Sequence, residues 1–140
     1  MSRSFSLAGL LRVREIQERA AAQRLSRAVI DAQHTEARDR ALRAHLSAAD
    51  TEAVDVRSLA ALAAARVAGR AMLADLRTLS ELQEETVAVA RAEHADARRT
   101  LRGLERLAGT HAAELRAADL HAEQAELDEI AGRPLLEGPA

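Results

Sequence analysis

From Leu59 to Glu129 the chain carries an unbroken spacing of alternating threes and fours: Leu59, Leu62, Arg66, Gly69, Leu73, Leu76, Ser80, Gln83, Val87, Ala90, His94, Ala97, Leu101, Leu104, Ala108, His111, Leu115, Ala118, Ala122, Ala125, Glu129. Fifteen of these 21 positions are apolar or Gly, against 48% hydrophobic for the whole chain. Such a stripe predicts a helix that buries one face against another helix, since propensity alone holds an isolated helix poorly. Met72, Leu79, Leu82, Val89 and Leu107 are expected beside the stripe, widening it. A looser ladder precedes it: Leu7, Leu11, Ala21, Leu25, Ala28, Ala32, Leu42, Leu46 and Ala49, flanked by Leu10, Val29 and Ile30 and interrupted by Arg14, Glu18, Thr35 and Asp39. The many alanines let two backbones approach but bury little area each, so weak packing per residue is expected. Glu15 with Arg19, Glu36 with Arg40 and Asp39 with Arg43 have one-turn spacing, each adding about 0.2 to 0.5 kcal/mol on a solvent face.

Between the two ladders, Ser47, Asp50, Thr51, Val54, Asp55 and Val56 cluster poor helix formers, and Asp55 suits a helix N-cap. Gly69 is the rival turn, but one Gly costs only about 1 kcal/mol inside a helix, so the turn is placed at about 47–56. One count favours a hinge nearer the midpoint: residues 1–30 hold six Arg and two Glu, whereas residues 114–130 hold one Arg and six acids, as if the termini attracted each other. With the turn at 47–56, a helix over about 5–48 runs roughly 66 Å and one over about 56–131 roughly 114 Å. The fold expected is therefore all-α: a single domain of two long helices in an antiparallel coiled-coil hairpin, the second helix longer. The excess of about 48 Å leaves the stripe around Leu101, Leu104, Leu115 and Leu127 without cover from its own chain. Gly132 and Pro134 are expected to stop the second helix, leaving a tail over 132–140.

Composition narrows the function. The 140 residues include 34 Ala, 20 Arg, no Lys, one Phe as the only aromatic and no Cys. Without aromatic area a compact enzyme core is disfavoured, and without Cys there is no disulfide, thiolate metal site or thiol catalysis. No apolar run approaches the roughly 18 residues that span a bilayer, and no leader pattern follows the N-terminus, so a soluble intracellular protein without a transmembrane segment is expected. Among the five His, His111, Glu114 and His121 come nearest to metal-ligand spacing, but no HExxH or paired Glu-x-x-His accompanies them; they read as seam or solvated residues, and neither metal nor cofactor is expected. Glu84 and Glu85 point to different faces, which argues against general acid catalysis, and Gly103 and Gly109 lack the context of a phosphate loop. The 20 Arg are interleaved with 22 acids at a net charge of −2, so a salt-bridged solvent face outweighs nucleic-acid binding.

The two ends of the chain are more specific. Phe5-Ser6-Leu7-Ala8-Gly9-Leu10-Leu11-Arg12-Val13-Arg14 resembles the F-x-L-x-x-L-L-x-x-R opening of the flagellar FliJ family, and Glu123-Gln124-Ala125-Glu126-Leu127-Asp128-Glu129-Ile130-Ala131 resembles its closing E-Q-x-E-L-D-E-x-A signature. The closing motif carries more weight, because it specifies polar identities where a generic coiled coil specifies only the stripe. The resemblance implies a non-enzymatic component of the flagellar type III export apparatus. Such proteins look like the central stalk of rotary ATPases, standing in the export ATPase hexamer, promoting its ring form and linking it to the cytoplasmic domain of the export gate at the membrane. They are also described as escorts of export chaperones. On that resemblance Leu101, Leu104, Leu115, Glu123, Glu126, Leu127, Asp128 and Glu129 are candidates for the ATPase ring, and Leu42, Leu46, Leu59 and Leu62 for the gate. The free protein is expected to be monomeric. Two rival readings stay open: a scaffold whose chains pair along the 59–129 stripe, told apart by mass in dilute solution, and an Arg-rich nucleic-acid binder, told apart by steep salt dependence.

Overall fold

The computed structural model describes residues 2–49 and 55–133, with side chains from residue 6 onward. These residues form two α-helices and no strand: α1 spans Ser2–Ala49 and α2 spans Val56–Gly132. At 48 and 77 residues they are roughly 72 and 116 Å long. Residues 50–54, half of the turn expected at 47–56, and the tail from 134 lie outside the described residues, while 47–49 are still part of α1, one residue past the expected helix end at 48. Gly69, the alternative turn, lies inside α2 and is buried.

The ends of α2 follow from local chemistry. Asp55 is extended at φ −146° and ψ 177°, and its carboxylate accepts from the Ser58 backbone N–H at 2.7 Å and from the Ser58 hydroxyl at 2.7 Å. The Leu59 N–H closes the first turn on the Asp55 carbonyl at 2.9 Å. The Ser58 N–H is one of the donors that a helix start otherwise leaves unpaired. These hydrogen bonds to the charged form hold the Asp55 carboxyl below its ordinary range. At the other end Arg133 is extended at φ −68° and ψ 116°, the conformation favoured in a residue that precedes a proline, here Pro134.

The two helices meet along one narrow seam. Every position of the early ladder from Leu7 to Ala49 is half-buried or buried, and so are the interrupting Arg14, Glu18, Thr35 and Asp39. On α2 the positions from Leu62 to His111 are covered in the same way, Arg66 excepted. What is fully buried is small: Ala21, Ala28, Thr35, Gly69 and Ala90. Two helices cannot enclose a long side chain from all sides, so only small residues sink completely while leucines stay half-covered. Gly69 shows the close approach directly. A Cβ there would come within 2.6 to 2.7 Å of the methyl carbons of Leu46. The expectation that Met72, Leu79, Leu82, Val89 and Leu107 widen the buried stripe is corrected, for all five are exposed on the flank of the seam. A single partner helix covers two positions per heptad and leaves their neighbours outside.

Candidate functional site

Polar residues within the seam set which part of α1 meets which part of α2. Near the N-terminal end of α1, Glu18 reaches across to His94, with 2.8 Å between Glu18 Oε1 and His94 Nε2. Arg24 lies 3.7 Å from Glu93 on the adjoining flank, where both are exposed and the pair adds at most about 1 kcal/mol. Near the other end Leu46 covers Gly69. The buried Thr35 hydroxyl donates back to the Asp31 carbonyl at 3.2 Å and so carries no unpaired polar group. Gln83 is different, since its Oε1 is buried without a hydrogen-bond partner. Of the three charge pairs expected along α1, the Asp39–Arg43 contact at 2.6 Å is formed, and it raises the Arg43 guanidinium further above its usual range. Among the described residues no group of three or more His, Cys, Asp or Glu is placed to hold a metal ion. His111 is half-buried at the end of the seam, while Glu114 and His121 are exposed.

Leu7 and Leu11 are half-buried, and so are Leu101 and Leu104. The expectation that they belong to a bare stripe is therefore corrected: cover persists through His111, and α2 is exposed at every position over 112–133. Leu115 is 49% exposed and Leu127 63% exposed.

A second correction concerns the shape of that extension. Leu127 does not continue the seam, whose 3,4 phase there passes through Ala118, Ala122, Ala125 and Glu129. It shares a face with Leu120, seven residues earlier, and Ile130, three later, roughly opposite the seam. Leu120 and Ile130 are also exposed, and both lie outside the dominant 3,4 phase, so that periodicity gives no sign of them. Glu123 lies within this outer stripe and Asp119 and Glu126 border it, so the extension is an amphipathic helix whose apolar face is edged with acid. Glu123, Glu126, Asp128 and Glu129 are all exposed.

Of the four residues assigned to the other contact, Leu42, Leu46 and Leu62 are half-buried in the seam, and Leu59 is 55% exposed near the start of α2. The open apolar surface in the paired part lies on the flank instead. There a groove of about 600 Å³ runs between the helices, lined in part by Arg24, Arg27, Leu82, Thr86 and Val89. No helix among the described residues is long and apolar enough to cross a membrane. No family model matches the chain, and neither a curated protein nor a solved structure does.

Proposed function

We propose that the chain is an antiparallel coiled-coil hairpin serving as a stalk of the flagellar type III export apparatus, a non-catalytic regulator of the export ATPase hexamer. The observation that carries this reading is the asymmetry of the rod: α2 continues past the covered seam for the whole of 112–133, with Leu115, Leu120, Leu127 and Ile130 exposed on it. The family-like motifs supply its direction, because the closing E-Q-x-E-L-D-E-x-A signature falls on that extension. Contacts of Leu46 with Gly69 and of Glu18 with His94 favour the antiparallel arrangement, since low numbers on α1 meet high numbers on α2.

In this reading the extension, through Leu115, Leu127, Glu123, Glu126, Asp128 and Glu129, enters the ATPase ring, while the end near Leu59 faces the gate. The chain would then act at the cytoplasmic face of the membrane through its partners and hand over export chaperones. An asymmetric rod inside a near-symmetric ring favours different subunit states in turn, so its effect is allosteric. The test adds the purified chain to the export ATPase and measures ATP hydrolysis and ring formation. Parent protein should raise both, and L115E/L127E should fold normally but raise neither, because each new carboxylate is solvated when free and unpaired when the ring closes over it. No stimulation by the parent protein rejects the reading.

A further inference from the structure

We infer that the acidic extension of α2 docks on the basic first half of α1 in a second copy of this chain, each copy giving its extension to the other. The two segments carry opposite charge. Over 112–133 the extension holds Glu114, Asp119, Glu123, Glu126, Asp128 and Glu129 against Arg116 and Arg133, whereas residues 1–30 hold six Arg and two Glu. Within one chain they do not meet. The start of α1 covers α2 only as far as His111, and α2 is one uninterrupted helix to Gly132, so the extension cannot fold back onto its own α1. No ion pair among the described residues involves an acid of the extension.

The apolar surfaces match as well. On α1, Leu10, Val13 and Ile16 are exposed away from the seam, and Ile16 lies one turn from Arg12 and one turn from Arg19. On the extension, Leu120 and Leu127 flank Glu123 at the same one-turn spacing, and Ile130 follows Glu126. One surface is therefore aliphatic edged with guanidinium, the other aliphatic edged with carboxylate. The 22 residues over 112–133 span about 33 Å, which equals the reach of the 22 residues over 7–28 of α1. A two-fold arrangement lets both contacts form at once, so each copy covers what the other leaves bare. The contact is partly electrostatic and open to water, so it weakens as salt rises.

This inference does not rest on the export reading, and its test uses the pure chain alone. Sedimentation or light scattering at low salt should give about twice the 15.1 kDa of one chain, falling towards one chain on dilution or at high salt. Two variants at exposed positions, R12E/R19E and E123R/E126R, should keep the helical circular dichroism of the parent and each sediment as a single chain. R12E/R19E leaves the start of α1 with no net charge and sets two carboxylates against the acids of the extension, and E123R/E126R neutralises the extension and sets two guanidinium groups against the arginines of α1. Mixed in equal amounts they should recover the double mass, because the reversed extension of one fits the reversed start of the other. A parent protein that stays single at the highest soluble concentration overturns the proposal. Charge-reversed variants that keep the double mass place the pairing elsewhere, along the seam, and overturn it too, as does a mixture that fails to recover.

Discussion

The two parts of α2 share one 3,4 spacing, yet they live under different physics. Over 62–111 a 3,4 stripe faces α1, and each seam residue contributes to folding in proportion to the area that α1 covers. Over 112–133 the same phase continues as Ala118, Ala122, Ala125 and Glu129 with nothing opposite, while the large apolar side chains Leu120, Leu127 and Ile130 sit on another face. The paired part thus contributes to stability through the area it buries, whereas the extension buries none among the described residues. The lesson is that a heptad pattern identifies a face able to bind a helix, not a face that has one.

The sharpest way to break this comparison is to place the same charge on either side of the boundary. L104E should lower stability by about 2 to 4 kcal/mol, because Leu104 is half-buried in the seam and a carboxylate there is poorly solvated. L127E should shift it by no more than about 0.5 kcal/mol. Thermal melts followed by circular dichroism read both, and equal losses would mean that the extension is covered after all. Next in size, G69L should cost about 1 to 3 kcal/mol by driving Leu46 out of its place. A melt unchanged from the parent would show that the helices separate easily at that end.

Removing the unpaired seam carbonyl with Q83L should instead stabilise the fold, by about 1 to 2 kcal/mol in urea unfolding. A loss would show that the amide finds a partner in solution. On the outer face of the same paired segment, G103A and G109A should each gain up to about 1 kcal/mol, since nothing lies within 4 Å of the added methyl group. Contrasted with Gly69, they separate helix propensity from packing.

The smallest effect expected is a pH dependence at the start of α2. The Asp55 carboxyl is held below its ordinary value by Ser58, so the cap's contribution is present above the unfolded value, near 3.8, and is lost as pH falls through the lower folded value. D55A should remove that acid-side dependence and lower the melting temperature slightly at neutral pH. An unchanged acid profile would assign the dependence to other carboxylates.

Much of the fold was legible because its rules are local. Helix was written in the alanines, in the scarcity of Gly and Pro, and in the Asp55 cap three residues before Ser58. The seam was legible too: the ladder from Leu7 to Ala49, including its polar interruptions, and the stripe from Leu62 to His111, Arg66 excepted, both turn inward, since 3.6 residues per turn places them there. Three things were not legible. Leu101 and Leu104 belong to the stripe expected to be bare, and only the tertiary structure shows that they are half-buried. Met72, Leu79, Leu82, Val89 and Leu107 are expected to widen the stripe, but burial depends on how many partners surround a helix, and one helix covers a narrow strip. Leu120 and Ile130 were overlooked, because exposure outside the main phase means nothing until the covered face is known.

By itself, then, the sequence determined that this chain is helical, where its second helix begins, and which face of each helix is adhesive, for these depend on neighbours within a few residues. Only the tertiary structure decided which residues meet across the seam and where cover ends. An offset of one heptad between two such stripes preserves the phase of every position while moving the boundary of the bare extension by about 10 Å, so no local pattern distinguishes the alternatives. Contacts between residues more than 70 positions apart, such as Glu18 with His94, make that choice.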